Sequence, residues 1–133
     1  VLLISTITDG NQLSELLFAT REAGLQALVE CYNREDVERL KWNEIEVFGV
    51  NNRDLHTFEV DVHKGIHLLK EAPEDIITVS ESGISSADDL LTLLEHNIDA
   101  ALIGEYFMRQ DDPGLALRNL VMAFKNRMKT ETE

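Results

Sequence analysis

Ile45-Glu46-Val47-Phe48-Gly49-Val50-Asn51-Asn52-Arg53-Asp54 decides the fold. An apolar run too short for a helix passes directly into amides and charges, the pattern of a buried parallel strand that delivers polar side chains at its C-terminal end. Four other runs read the same way: Val1–Ile4, Ala27–Val29, Ile76–Val79 and Ala100–Ile103. Strand starts at 1, 27, 45, 76 and 100 are spaced as βα units with right-handed crossovers.

Between the strands lie stripes with helical spacing: Leu13, Leu16 and Leu17; Val37 and Leu40; Val62, Ile66 and Leu69; Leu90, Leu91 and Leu94. A fifth helix follows the last strand, with Leu117, Leu120, Val121, Phe124 and Met128 as its expected buried face. Helix starts are signalled by Asp9 with Gln12, by Asn33, by Asp61, by Ser85 with Asp88, and by Asp112 before Pro113. Gly24, Asn43 and Asn97 are expected at helix ends, because they tolerate the left-handed cap conformation. The polar tail Lys125–Glu133 is expected to fray.

Alternating strands and helices make this an α/β chain, and leave an open doubly wound sheet or part of a closed (β/α)8 TIM barrel. A barrel runs to about 250 residues, so 133 residues supply little more than half of one. No two glycines are separated by a single residue, so the dinucleotide fingerprint is absent, as is the nucleotide P-loop.

With 12 Lys and Arg against 25 Asp and Glu, the net charge is −13. That balance opposes binding to nucleic acid or anionic lipid, and requires any phosphate site to be built locally from backbone N–H groups. A single cysteine, Cys31, forbids an internal disulfide and suits a reducing cytoplasm. No apolar run reaches the roughly 20 residues of a membrane span, and no signal region is visible. The chain opens on Val1 without methionine and is expected to be trimmed at its start.

In a parallel α/β fold the functional residues gather at the C-terminal strand ends. Glu30 directly follows Ala27-Leu28-Val29, where a partly dry setting would suit proton transfer, although an ion pair to a neighbouring loop reads equally well. Asn51 is placed to orient a substrate, or to serve as scaffolding. Arg53 is placed to grip a carboxylate, or to serve as scaffolding paired with Asp54 or Glu30. Asn52 and Asp54 read as turn-formers. Ser82-Gly83-Ile84 and Gly104 on consecutive strand ends read as a phosphate cradle, with simple turn glycines as the alternative. His63 and His67 lie one helical turn apart, but Lys64 stands where a zinc-protease helix has glutamate, so a solvated face is expected. Cys31 and Trp42 are expected in the core, and the acidic residues 35, 36 and 38 on a solvated helix face.

Four ordered motifs, LVE at 28–30, GVNNRDLHTFEVD at 49–61, VSESGI at 79–84 and LIGEYFMR at 102–109, resemble the indole-3-glycerol phosphate synthase family. The resemblance runs from the first strand to Asp112-Pro113-Gly114 and favours the barrel over the open sheet. It implies that residues 1–133 are the C-terminal portion of the synthase domain, strands four to eight of a (β/α)8 barrel. It also implies a carboxy-lyase of tryptophan biosynthesis. Such an enzyme closes the indole ring of 1-(2-carboxyphenylamino)-1-deoxyribulose 5-phosphate with loss of carbon dioxide and water, and uses no cofactor or metal. By resemblance, Glu30 is the general base, Asn51 positions the reacting groups, and Arg53 supports them. Glu81 and Ser82 contact the substrate beside the forming ring. Gly83, Gly104 and Glu105 form the phosphate cradle, through backbone N–H groups rather than the Glu105 carboxylate.

The resemblance also implies that the family's general-acid lysine belongs to a third strand preceding this sequence, and a glutamate and a second lysine to the first strand, so the chain alone is expected to be inactive. Tyr32 stands where family members commonly have histidine or asparagine. Glu44-Ile45 replaces a usual Gly-Ala. Open edges at the first and last strands are expected to drive self-association. The alternatives are another phosphate-binding barrel of the phosphoribosylanthranilate isomerase kind, or a non-catalytic self-associating α/β scaffold.

Overall fold

The computed structural model describes residues 1–54 and 57–130, so Leu55 and His56 of the third strand's motif and residues 131–133 of the tail lie outside the described residues. Five parallel strands form one sheet: β1 (Leu2–Ile4), β2 (Leu28–Cys31), β3 (Val47–Asn51), β4 (Ile77–Glu81) and β5 (Ala100–Leu102). The helices are α1 (Gly10–Glu22), α2 (Arg34–Glu38), α3 (Val62–Leu69), α4 (Ala87–Glu95), α5 (Glu105–Met108) and α6 (Pro113–Thr130), with 3-10 turns at Ser5–Ile7 and Trp42–Glu44.

The strand order is β1-β2-β3-β4-β5, without reversal. Right-handed crossovers between successive neighbours put every helix on the same side, so the sheet is singly wound, as a barrel wall is, and has no switch point. Alternation along each strand shows the two faces. Val29, Cys31, Phe48, Val50, Thr78 and Ser80 point to the helices and are buried, packed with Leu13 and Leu17 of α1, Ile66 and Leu69 of α3 and Leu93 of α4. The alternate residues Leu2, Ile77 and Leu102 stand on the other face and are between 43% and 50% exposed. The helix-facing layer is therefore closed, whereas the inner face is open at Leu2, Ile77 and Leu102 and covered around Glu30, Val79 and Glu81.

All five strands differ from their apolar runs, β1 and β5 only by being one residue shorter. Three of them, β2, β3 and β4, continue one or two residues into the polar stretch, because the neighbouring strands keep pairing there: Glu30 with Gly49, Cys31 with Val50, Asn51 with Glu81. Glu30, Asn51 and Glu81 are thus strand residues with fixed backbones. Asp9, Asn33 and Asp61 cap α1, α2 and α3 as expected. The cap of α4 is Ser86 with Asp89, one residue beyond the expected Ser85 with Asp88. Gly24 and Asn97 adopt positive φ after their helices, whereas Asn43 lies inside a 3-10 turn.

Three further expectations are corrected. The buried side of α6 is Ala116 and Leu120, with Phe124 half-buried, while Leu117, Val121 and Met128 are exposed. Lys125–Thr130 continues that helix rather than fraying. Asp36, expected in solvent, is 2% exposed. It accepts from Thr6 Oγ1 at 2.7 Å, from the N–H of Tyr32 at 3.0 Å and from Arg39 Nη2 at 2.7 Å, and it completes the capping box of α2. Burial alone would raise its pKa. Those donors outweigh burial and hold the carboxyl below its ordinary value.

Candidate active site

At the C-terminal ends of the strands lies a cleft of about 700 Å³. Glu30, Asn51, Arg53, Glu81, Ser82, Gly83, Gly104 and Glu105 all line it, so the eight residues expected to act on the substrate or its phosphate are brought to one cavity. Ser85, Tyr106, Arg109 and Gln110 line it as well.

Glu30 ends its strand's inner face, 9% exposed. Gly49 is its register partner on β3, and Asn51 stands two residues further on the same face, opposite Glu81. Glu81 is 3% exposed. Burial first, then a hydrogen bond to Glu30 and the charge of Glu30, push its carboxyl from 4.5 up to about 8. The amide oxygen of Asn51 accepts from the Arg53 N–H at 3.0 Å, which fixes the rotation of that amide.

Arg53 does not pair with Asp54 or Glu30. Its guanidinium binds the Glu105 carboxylate, which Arg109 also holds at 2.5 Å. Arg109 was not singled out from the sequence, although its place four residues after Glu105 on a helical turn is the spacing of such a pair. With two guanidiniums on its carboxylate, Glu105 has little left to offer a ligand except its backbone N–H.

Ser82 and Gly83 both have positive φ, 69° and 79°. A side chain at Gly83 would also meet Val60 Cγ1 at 2.3 Å. This sharp bend is held by Asn52, which is buried and donates from Nδ2 to Ser80 Oγ and to the Ser82 carbonyl, both at 2.9 Å. Asn52 is thus a brace beneath the site, bonding across to β4 and the bend after it rather than forming a turn of its own as expected. Just beyond the bend, Asp89 accepts from the N–H groups of Ser85 and Ser86, both at 2.9 Å, so those two donors are already engaged. No side chain among the described residues caps Gly104 at the start of α5.

Tyr32 is not among the residues lining the cleft. Its hydroxyl donates to Asp54 at 2.5 Å and its ring faces Lys64 Nζ at 4.4 Å, tying the segment after β3 to the end of β2. The Asp54 bond chiefly pushes this phenol up to about 12. Cys31 is fully buried on the helix side, and burial raises its thiol to about 12, which makes it unreactive. His63 and His67 are exposed, and no group of metal-ligating side chains occurs among the described residues. No helix among them is long and apolar enough to cross a membrane.

A singly wound parallel sheet with helices on one side, and with carboxyls, an amide and glycine bends at the C-terminal strand ends, defines part of a (β/α)8 barrel with its site where barrels carry them. Solved structures share the fold. 3-Hexulose-6-phosphate synthase from Salmonella typhimurium superposes with a TM-score of 0.74 at 17% identity, over 95% of this chain and 61% of that one. A structure described as native KDPGal gives 0.65 at 12% identity, over 97% and 58%.

Residues 1–120 match the family model of indole-3-glycerol phosphate synthase, and the chain belongs to that family. The indole-3-glycerol phosphate synthase of Salinibacter ruber is 45% identical over 120 residues, which are 90% of this chain and 44% of that protein. That of Zymomonas mobilis subsp. pomaceae is 39% identical over 121 residues, 91% of this chain and 46% of that protein. The chain thus spans somewhat less than half the length of these relatives.

Proposed function

We propose that this chain is the C-terminal portion of an indole-3-glycerol phosphate synthase, a carboxy-lyase of the tryptophan pathway, acting in the cytoplasm on 1-(2-carboxyphenylamino)-1-deoxyribulose 5-phosphate. The observation that carries this reading is the placement of Glu30 and Asn51 on one inner face, two residues apart in register, above a cleft that also reaches Gly83 and Gly104. Glu30 is the general base. It takes the ring-carbon proton while the C–H electrons form the new double bond and the hydroxyl, protonated by the general acid, departs as water, restoring aromaticity. Asn51, rotationally fixed by the Arg53 N–H, positions the reacting groups. Arg53 acts as scaffolding through Glu105 and keeps that carboxylate turned away from an arriving phosphate. Glu81 and Ser82 flank the forming ring. Backbone N–H groups at Gly83, Gly104 and Glu105 hold the phosphate.

The general acid comes from a strand that this chain does not contain, so the chain by itself is inactive, and its open β1 and β5 edges lead it to self-associate. The test pairs the two preparations. In an assembled synthase carrying these residues, Glu30→Gln should lower kcat by about 10²–10⁴-fold. The 133-residue chain should give no indole product and should sediment as a dimer or larger. Turnover by the chain alone, or an assembled Glu30→Gln variant with wild-type kcat, overturns the reading.

A further inference from the structure

The segment between β3 and α3 is fastened to residues at the ends of β2, β4 and β5. Its two arms pair antiparallel at Arg53 and Val60, and Asp54 closes them. The N–H of Asp54 donates to the Glu59 carbonyl at 2.8 Å, its own carbonyl accepts from the Phe58 N–H at 2.9 Å, and its Oδ1 accepts from the Thr57 N–H at 2.9 Å. The second carboxyl oxygen, Oδ2, accepts from the Tyr32 hydroxyl at 2.5 Å, the length of a strong, charge-assisted bond. One residue thus folds the segment on itself and, through that hydroxyl, ties it to the end of β2.

Both arms carry that fixation into the cleft. On the outgoing arm, Arg53 Nη1 donates to the Phe58 carbonyl at 3.4 Å while its Nη2 holds Glu105, so the aim of the guanidinium depends on where Phe58 stands. Phe58 has a φ of 61°, a conformation that a residue with a bulky side chain keeps only when its surroundings impose it. On the returning arm, Val60 Cγ1 lies 2.3 Å from where a Cβ on Gly83 would be, so the arm rests directly on the bend after β4. Lys64 Nζ stands over the face of the Tyr32 ring and keeps the hydroxyl turned toward Asp54. Every contact in this series is made between residues of this chain.

We propose that Tyr32 is a positioning residue for the phosphate end of the cleft: its hydroxyl anchors Asp54, and the anchored segment sets Arg53 against Glu105 and Val60 against Gly83. What the anchor does for the substrate rests on the phosphate role proposed for Gly83, Gly104 and Glu105. Tyr32 itself does not line the cleft, so it acts on how the substrate is held and not on proton transfer at Glu30. Loosening the anchor frees the backbone N–H groups of the cradle to wander from the phosphate, which weakens binding before it slows the chemistry.

Tyr32→Phe keeps the ring beneath Lys64 and removes only the hydroxyl. In the 133-residue chain, amide hydrogen exchange followed by NMR should quicken roughly tenfold or more at Thr57 and Phe58 and hold within about twofold along β2 and β3, with circular dichroism checking the fold. Asp54→Asn should act in the same direction, and the double variant should go no further than Asp54→Asn alone. In an assembled synthase, Tyr32→Phe should raise KM roughly tenfold with kcat within about twofold, and the inhibition constant of inorganic phosphate should weaken in parallel. Exchange at Thr57 and Phe58 that is unprotected in the wild type, unchanged in Tyr32→Phe, or quickened equally throughout the chain overturns the proposal, as does a fall in kcat at constant KM. If the synthase makes no indole product the proposed function falls, and the exchange measurement still decides the anchor.

Discussion

Replacing Asp36 by alanine tests whether a buried carboxylate clamps the sheet beside the cleft. Thr6 follows β1 and Tyr32 follows β2, so one side chain ties two strand ends together and also starts α2. Hydrogen bonds to a charged group contribute roughly 1.5–3 kcal/mol each. The Arg39 share is discounted because that side chain is 46% exposed and recovers water when released. The Tyr32 N–H and Thr6 hydroxyl have no such compensation, and the capping box loses one of its halves. Because the bonds share one acceptor group their losses do not add, and a cost of about 3–5 kcal/mol is expected, as for a broken buried pair. Urea unfolding followed by circular dichroism at neutral pH measures it, with Asp36→Asn expected to lose less. The sign with pH follows from the lowered pKa: this stabilisation is present above the ordinary value of 3.8 and fades as pH falls below it. The alanine variant should lack that acid-side loss. A cost under about 1 kcal/mol, or an unchanged acid-side slope, refutes the clamp.

Two other outcomes follow from the site. Gly83→Ala meets both a positive φ and Val60 Cγ1, so it should destabilise the chain by about 2–3 kcal/mol, read as a lowered thermal midpoint; an unchanged midpoint contradicts the tight bend. For Glu81, the native carboxyl holds its proton to higher pH than the unfolded chain does, so the contribution is complete below about 4.5 and is lost as pH rises to about 8. That loss amounts to at most on the order of 5 kcal/mol. Urea midpoints on the two sides of that window should differ in wild type and converge in Glu81→Gln.

The alternation of strands and helices was legible because each strand is a short, mostly apolar run and α1, α2, α3 and α4 open on an Asp, Asn or Ser cap, whereas α5, which starts at Gly104 without a side-chain cap, gave no such signal. The site residues were legible because polar side chains directly after such runs must fall at one end of a parallel sheet. Other features depended on partners distant in the chain. Asp36 reads as one of three acidic residues on a short helix until Thr6 and Arg39 are brought to it. Ser85-Ser86-Ala87-Asp88-Asp89 holds two overlapping capping boxes, and only the helix's actual start selects the second. The buried row of α6 runs through Ala116, a residue too small to mark a stripe beside Leu117 and Val121. That the Glu81 side chain lies over Gly49, the register partner of Glu30, required the pairing of the sheet.

The order of the strands has a consequence for how the molecule comes together. Every strand pairs with the one made just before it, so most of the ladder is built from chain segments a single βα unit apart, and no segment must be threaded between two others already in place. Such a wall has each βα unit resting on the one before it. Extension at either rim adds to what is already standing without taking it apart.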